Sequence, residues 1–222
     1  MKKQWIFFSV WILFSTVAVL TTCYMLGTQF PIFSLLYLLI PLGILLKKKD
    51  VLCIGLRMVE LKHLCIVSMI NLAAALLIIC VVEPWAHVYQ RLIDLAMGAN
   101  PPDPTFVWIQ RYPTWGILFM FVFTGIITIF GEELFYRGFL LQLFKKHMPT
   151  YAAIILQAVI FSVPNGIVAF VMTPLQGFLY VFVYAFLAIG VVGGIAAHKT
   201  NSIWPSLISA IVLNLIFVLI YY

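Results

Sequence analysis

The sequence predicts an all-α polytopic membrane protein with about seven transmembrane helices. Of its 222 residues, 64% are hydrophobic and only 9% are charged, whereas about a quarter of the residues of a soluble domain are charged. The mean hydropathy is +1.13. The apolar residues come in runs of about 20, the length that a helix needs to cross a bilayer. No repeat or linker divides the chain, so we expect a single membrane domain over residues 1–222.

Seven apolar runs define the expected spans. The first follows Lys2 and Lys3, as in a signal peptide. It is longer than the about 7–15 apolar residues of such a peptide, so we expect an uncleaved first helix. The second run is short and contains Pro41. The predicted spans are residues 5–26, 31–46, 64–82, 114–144, 151–170, 178–196 and 203–221.

Two segments between the spans have patterns of their own. Residues 47–63 mix basic and apolar side chains, which fits either a helix lying on an anionic membrane surface or a plain loop. Residues 83–113 have apolar residues at helical spacing until prolines interrupt them, so we expect a helix lying flat on the outer surface. We therefore divide the domain into N-terminal spans with this outer amphipathic segment, residues 1–113, and a core over residues 114–222.

The basic residues predict the orientation. With the N-terminus inside, ten of the 13 Lys and Arg residues fall on the cytoplasmic side. Only Arg91 and Arg111 fall outside, and Arg137 lies within a span. Because basic residues collect in cytoplasmic loops, we expect a cytoplasmic N-terminus and an outer C-terminus. The same rule accounts for the net charge of +6, so nucleic acid is not an expected partner.

Three ionisable residues lie near the middle of the fourth predicted span. An ionisable side chain at the bilayer centre costs about 2.5–3.5 kcal/mol, so such groups indicate function. Glu133 and Arg137 are four residues apart on one helix face and can form an ion pair. Glu132 is rotated by about 100° from Glu133, and it is therefore free to act as a general acid or base. The alternative is a buried polar cluster that only fixes helix packing.

The run GEELFYRGF, which contains Glu132, Glu133 and Arg137, resembles the EExxxR signature of the CAAX-protease and bacteriocin-processing (CPBP, or Abi) family of intramembrane proteases. The Trp-Pro turn at Trp204 is similar to the turn that opens a later helix of that family. The resemblance covers roughly residues 114–221. It implies a four-helix core with a polar cavity inside the bilayer, and it implies that Glu132 is the base.

The sequence departs from the family at both histidine positions. In the FxxxH motif the histidine position is Asn165, and in the HxxxN motif it is Ala210, whereas Asn214 matches. The chain's own histidines lie at span ends or in the outer segment. The remaining carboxylates and amides make a poor zinc site, so we expect no metal and no cofactor. The candidate catalytic residues are Glu132, Glu133, Arg137, Asn165 and Asn214.

These departures favour acyl transfer over proteolysis. A peptidase needs a group that protonates the leaving amine, and the imidazole is missing. Glu132 with the amides of Asn165 and Asn214 supplies a base and an oxyanion hole, which suits acyl transfer from a lipid ester. The resemblance includes a branch linked to N-acylation of bacterial lipoproteins, which implies a multi-pass protein of a bacterial cell membrane.

Two other functions remain open. One is a glutamate-dependent intramembrane endopeptidase that tolerates the histidine losses. The other is a pseudoprotease scaffold, in which Asn165 and Asn214 only form hydrogen bonds between helices. The expected partners are membrane lipids, a lipidated protein or peptide substrate, and a membrane protein partner.

Overall fold

The computed structural model describes residues 43, 55–87, 126–170 and 172–221. Of residues 85, 86, 167, 168 and 217–221 it describes only the backbone. Five predicted features lie wholly or partly outside these residues. They are the span 5–26, the span 31–46 apart from residue 43, residues 47–54 of the segment 47–63, residues 88–113 of the outer segment, and residues 114–125 of the fourth span.

Five helices, numbered here in chain order, account for most of the described residues, and none of those residues is in a β-strand. α2 and α4 each contain a π-helical stretch, Glu133–Leu140 and Tyr180–Val191. Such stretches are rare and often occur at functional sites. The helices are α1 (Leu61–Ala86), α2 (residues 126–145), α3 (Thr150–Ala169), α4 (Pro174–Thr200) and α5 (Trp204–Tyr221).

Two of the described helices are long and apolar enough to cross a membrane, by length and composition: the Leu61–Pro84 stretch of α1 and the whole of α4. α3 and α5 contain shorter apolar stretches, Thr150–Gly166 and Trp204–Ile216. The all-α fold class is confirmed, and the five helices overlap the last five predicted spans. The total number of spans and the orientation stay predictions.

Local signals end the helices. Thr173 and Gln176 form a capping box at the start of α4, and Pro174 takes its first position, where proline costs no hydrogen bond. Asn201 ends α4 in the left-handed conformation, with φ 48°. Lys145 Nζ donates a hydrogen bond to Asn201 Oδ1 at 3.2 Å, and burial lowers the pKa of the Lys145 ammonium group. The end of α2 is thus held against the α4–α5 turn.

Residues 55–60, in the segment for which an interfacial helix or a loop is expected, form a loop. Gly55 adopts φ +72°, and a Cβ there would lie 3.2 Å from a backbone atom of α2, so both conformation and space favour glycine. Its carbonyl accepts a hydrogen bond from Ile203 N–H at 2.9 Å. Ser202 Oγ donates to the Arg57 carbonyl at 2.6 Å. The loop alternative therefore holds for these residues, and the loop is bound to the α4–α5 turn.

α3 and α4 pack closely because small residues line their contact. A Cβ on Gly190 would lie 2.8 Å from Ala158 Cβ, and a Cβ on Gly194 would lie 3.0 Å from Ile154 Cγ2. A contact of 2.8 Å is too short for two carbon atoms and one of 3.0 Å is unusually tight, so glycine at both positions lets the two backbones approach. The close packing of α3 and α4 helps to position the Ile189 carbonyl of α4, which accepts a hydrogen bond from Arg137 of α2.

Candidate functional site

Glu133 and Arg137 form the ion pair that the sequence predicts. Arg137 Nη1 lies 3.2 Å from Glu133 Oε1, and the two side chains are 0% and 3% exposed. Both residues belong to the π-helical stretch of α2. Removing either partner would leave an uncompensated buried charge, so the pair supports the structure whatever else it does.

The guanidinium of Arg137 is held from three sides. Nη2 donates a hydrogen bond to the Ile189 carbonyl of α4 at 2.8 Å. Cζ lies 4.5 Å from the centre of the Phe161 ring of α3, which is a cation–π contact. Gly193 leaves the space for the group, since a Cβ there would lie 3.4 Å from both Nε and Nη2. Arg137 therefore joins α2, α3 and α4.

The other oxygen of Glu133 contacts α5, and Glu133 also lines a small cavity. Ser206 Oγ donates a hydrogen bond to Glu133 Oε2 at 2.6 Å. The cavity has a volume of about 20 Å³, and its polar lining is Glu133, Ser206, Ser209 and Asn71 of α1, with Ala210 beside them. Asn71 Nδ2 donates a hydrogen bond to Ser209 Oγ. The cavity thus lies between α1, α2, α4 and α5, with a carboxylate in its wall.

Glu132 lies outside this network. It is half-buried, whereas Glu133 is 2% exposed, and it does not line the cavity. Glu132 lies close enough to Arg137 and Glu133 to interact electrostatically with both. It also interacts electrostatically with the Tyr180 hydroxyl of α4. The two adjacent glutamates therefore face different neighbours, as the rotation of about 100° per residue requires.

The two candidate asparagines have different surroundings. Asn165 Nδ2 donates to the Phe161 carbonyl at 3.0 Å, and Asn165 Oδ1 accepts a hydrogen bond from the Tyr180 hydroxyl at 2.8 Å. Tyr180 thereby connects Asn165 with the region of Glu132. Asn214 Oδ1 is buried and has no hydrogen-bond partner among the described residues. Neither asparagine lines the cavity, so the convergence of both amides with Glu132 on one cavity stays a prediction.

Several polar residues near the site lie outside the EExxxR, FxxxH and HxxxN motifs. Asn71 is the one amide side chain in the predicted span 64–82, whose other polar residue is Ser68. Ser206 and Ser209 are three residues apart on one face of α5 and follow the Trp-Pro turn. Glu83, which the sequence places in the outer segment, lies in α1 and accepts a hydrogen bond from Tyr184 of α4.

The chemistry of the site is that of acids, bases and hydrogen-bond donors. Among the described residues, no three His, Cys, Asp or Glu side chains lie close enough together to hold a metal ion. The groups present are two carboxylates, a guanidinium, amides and hydroxyls, which suit proton transfer and oxyanion stabilisation. The absence of metal and cofactor from the whole chain stays a prediction.

Comparison with known families agrees with the EExxxR motif. The sequence profile described as Type II CAAX prenyl endopeptidase Rce1-like matches residues 114–216, just under half of the chain. The match contains α2, α3, α4 and most of α5, whereas α1 with Asn71 lies outside it. No curated protein and no solved structure matched the chain. The matched residues carry the Glu133–Arg137 pair and form an all-helical core, so this part of the chain is similar to CAAX-protease-type membrane proteins, which supports membership of the CPBP family.

Proposed function

We propose that this membrane protein acts on lipid-modified proteins by non-proteolytic acyl transfer, with Glu132 as the general base. The observation that supports the proposal is that two adjacent glutamates make different contacts. Glu133 is bound by Arg137 and Ser206, whereas Glu132 has no salt bridge among the described residues and lies near Tyr180. A membrane-embedded carboxylate is costly, so one that is spared from the structural network indicates chemistry.

The surroundings of Asn165 support a role as an oxyanion donor. The Tyr180 hydroxyl binds Asn165 Oδ1, and this contact fixes which end of the amide is the donor. The amide nitrogen carries two hydrogens, and the bond to the Phe161 carbonyl uses one of them. The second hydrogen remains for a substrate oxygen. Asn214 Oδ1, unpartnered among the described residues, supports a role as an acceptor for an incoming amine.

In the proposed reaction, the free amine of a lipidated N-terminal residue attacks the ester carbonyl of a membrane lipid. Glu132 takes one proton from the amine as the carbon–nitrogen bond forms, and the Asn165 amide stabilises the negative oxygen of the tetrahedral intermediate. The carbon–oxygen bond of the ester then breaks, and the lipid alcohol leaves with the proton that Glu132 returns. Because the leaving group is an alcohol and not an amine, the step does not depend on an imidazole.

The second candidate function is intramembrane proteolysis at a lipid-modified substrate. The observation that favours it is the match of residues 114–216 to a family described as an endopeptidase. In this case Glu132 would activate water, and the protein substrate would be shortened. Against it stands the replacement of both family histidines by Asn165 and Ala210, since no imidazole is left to protonate the amine that departs.

Mass spectrometry of the membrane lipoproteins separates these functions. Cells that lack the protein are complemented with the wild-type chain, with Glu132→Gln, or with Glu60→Gln as the matched control. Glu60 carries the same side chain but is exposed, and its described partner is His63, outside the site. All variants are checked for equal amounts in the membrane.

Acyl transfer predicts that lipoproteins gain the mass of one acyl chain with the wild-type and Glu60→Gln proteins and lose that gain with Glu132→Gln. Shortened substrates without an acyl gain would support the endopeptidase. Unchanged lipoproteins in all strains would contradict both enzymatic functions, and the scaffold that binds a membrane protein partner would then be the better account.

A further inference from the structure

Asn71 presents an oxygen atom that lacks a hydrogen bond. The residue is 8% exposed and lies in α1, outside the family match. Its Nδ2 donates to Ser209 Oγ, but its Oδ1 has no partner among the described residues. A buried polar atom without a partner is unfavourable, so this atom indicates a hydrogen-bond donor that the described residues do not supply.

The cavity in front of Asn71 has the size and polarity of a water site. Its volume is about 20 Å³, and a cavity needs at least about 10–15 Å³ on this measure to hold one water molecule. Glu133 lines the same cavity. A carboxylate offers about four lone-pair positions, and the contacts from Arg137 and Ser206 leave some of them open. Two residues with open acceptor positions thus line one cavity, and among the described residues none donates to Asn71 Oδ1.

We propose that this cavity binds one water molecule, which donates one hydrogen to Asn71 Oδ1 and the other to the Glu133 carboxylate. Water fits because it brings two donors to two acceptors. A cation fits less well, because the Arg137 guanidinium already neutralises Glu133 at 3.2 Å. The proposal does not depend on whether Glu132 catalyses acyl transfer or proteolysis.

The water gives Asn71 a role as a positioning residue for Glu133. It joins α1 to the carboxylate that pairs with Arg137, and the backbone of Glu133 continues directly into Glu132. Ala210, which stands at the histidine position of the HxxxN motif, also lines the cavity. Its methyl group leaves the space that a larger side chain would occupy, and the water with Asn71 fills that space.

A structure of the wild-type protein at a resolution that shows ordered water tests the proposal directly. We expect one density peak within hydrogen-bonding distance of both Asn71 Oδ1 and a Glu133 oxygen. An empty cavity would overturn the proposal. So would a peak that is lost when sodium is replaced by potassium, because that result would assign a cation to the site.

Infrared spectroscopy of purified variants tests the effect on Glu133. The Glu133 carboxylate band is assigned by its loss in Glu133→Gln. We expect this band to shift in Asn71→Leu and in Ala210→Val, which change the lining of the cavity on α1 and on α5. Ser68→Ala is the control, since Ser68 is buried in α1 and does not line the cavity. A band that stays unchanged in folded Asn71→Leu and Ala210→Val proteins would contradict a positioning role.

Discussion

Replacing Arg137 by methionine should destabilise the protein strongly. Arg137 is wholly buried and pairs with Glu133. Methionine keeps an extended side chain and can retain a sulfur–aromatic contact with Phe161. It removes the charge and the hydrogen bond to the Ile189 carbonyl. The substitution therefore tests the polar contacts with little change in packing.

The expected loss follows from the contacts of Arg137. Breaking a buried ion pair by removing one partner costs about 3–5 kcal/mol, because the other charge stays buried without compensation. The cation–π contact with Phe161 is lost with the charge, and a sulfur–aromatic contact of the methionine would offset part of that loss. Since about 1.4 kcal/mol changes an equilibrium tenfold, the ratio of folded to unfolded protein should fall about a hundredfold to a few thousandfold.

Reversible unfolding in mixed micelles measures this loss. The series contains Arg137→Met, Glu133→Gln and the double variant, and Arg57→Met is the control because Arg57 is exposed. The control should stay within about 0.5 kcal/mol of the wild-type protein. The double variant should be more stable than the sum of the single losses by at least about 1 kcal/mol, since neither charge is then stranded. Additive losses would refute the coupling between Glu133 and Arg137.

Four further predictions concern catalysis, packing, orientation and metal. Glu132→Gln should abolish lipoprotein modification while its unfolding midpoint stays near that of the wild-type protein, and a large loss of stability would contradict its place outside the network. Gly190→Ala should cost about 1–3 kcal/mol by overpacking, whereas Gly166→Ala, with nothing within 4 Å of its Cβ, should cost nothing. A cysteine at position 222 should react with an impermeant reagent from outside, and labelling from the cytoplasm alone would reverse the predicted orientation. Purified protein should contain no stoichiometric zinc by elemental analysis.

The helices were predictable from the sequence because hydrophobicity reports burial in lipid directly. The five described helices overlap the predicted spans, yet α1 runs from Leu61 to Ala86, beyond the predicted span at both ends. A hydrophobicity criterion stops where polar residues begin, whereas helical hydrogen bonds continue beyond the apolar run. Glu83 was therefore misplaced outside the helix to which it belongs.

The ion pair was predictable because its two residues lie close together on one helix. The cavity was not predictable, since its lining comes from helices that are distant in sequence. Glu133 and Arg137 are on one helix, so their spacing indicates contact without knowledge of the fold. Asn71 and Ser209 are far apart in sequence, and their hydrogen bond depends on how α1 packs against α5. Whether the oxygen of Asn71 lacks a hydrogen-bond partner can be judged only when the positions of its neighbours in the fold are known. The sequence motifs indicate the family, whereas the contribution of α1 depends on tertiary packing.

The choice of Glu133 rather than Glu132 as the partner of Arg137 is not decided by helix spacing alone. In an α-helix Arg137 is best placed for the residue four positions earlier, but the stretch that begins at Glu133 is π-helical, and a π turn brings residues five positions apart into register. Tertiary contacts decide the pairing. Ser206 draws the Glu133 carboxylate toward α5, and the Ile189 carbonyl holds the guanidinium on that side. Glu132 is left outside the pair because its neighbour is bound on two sides, and its proposed role as a base depends on those contacts.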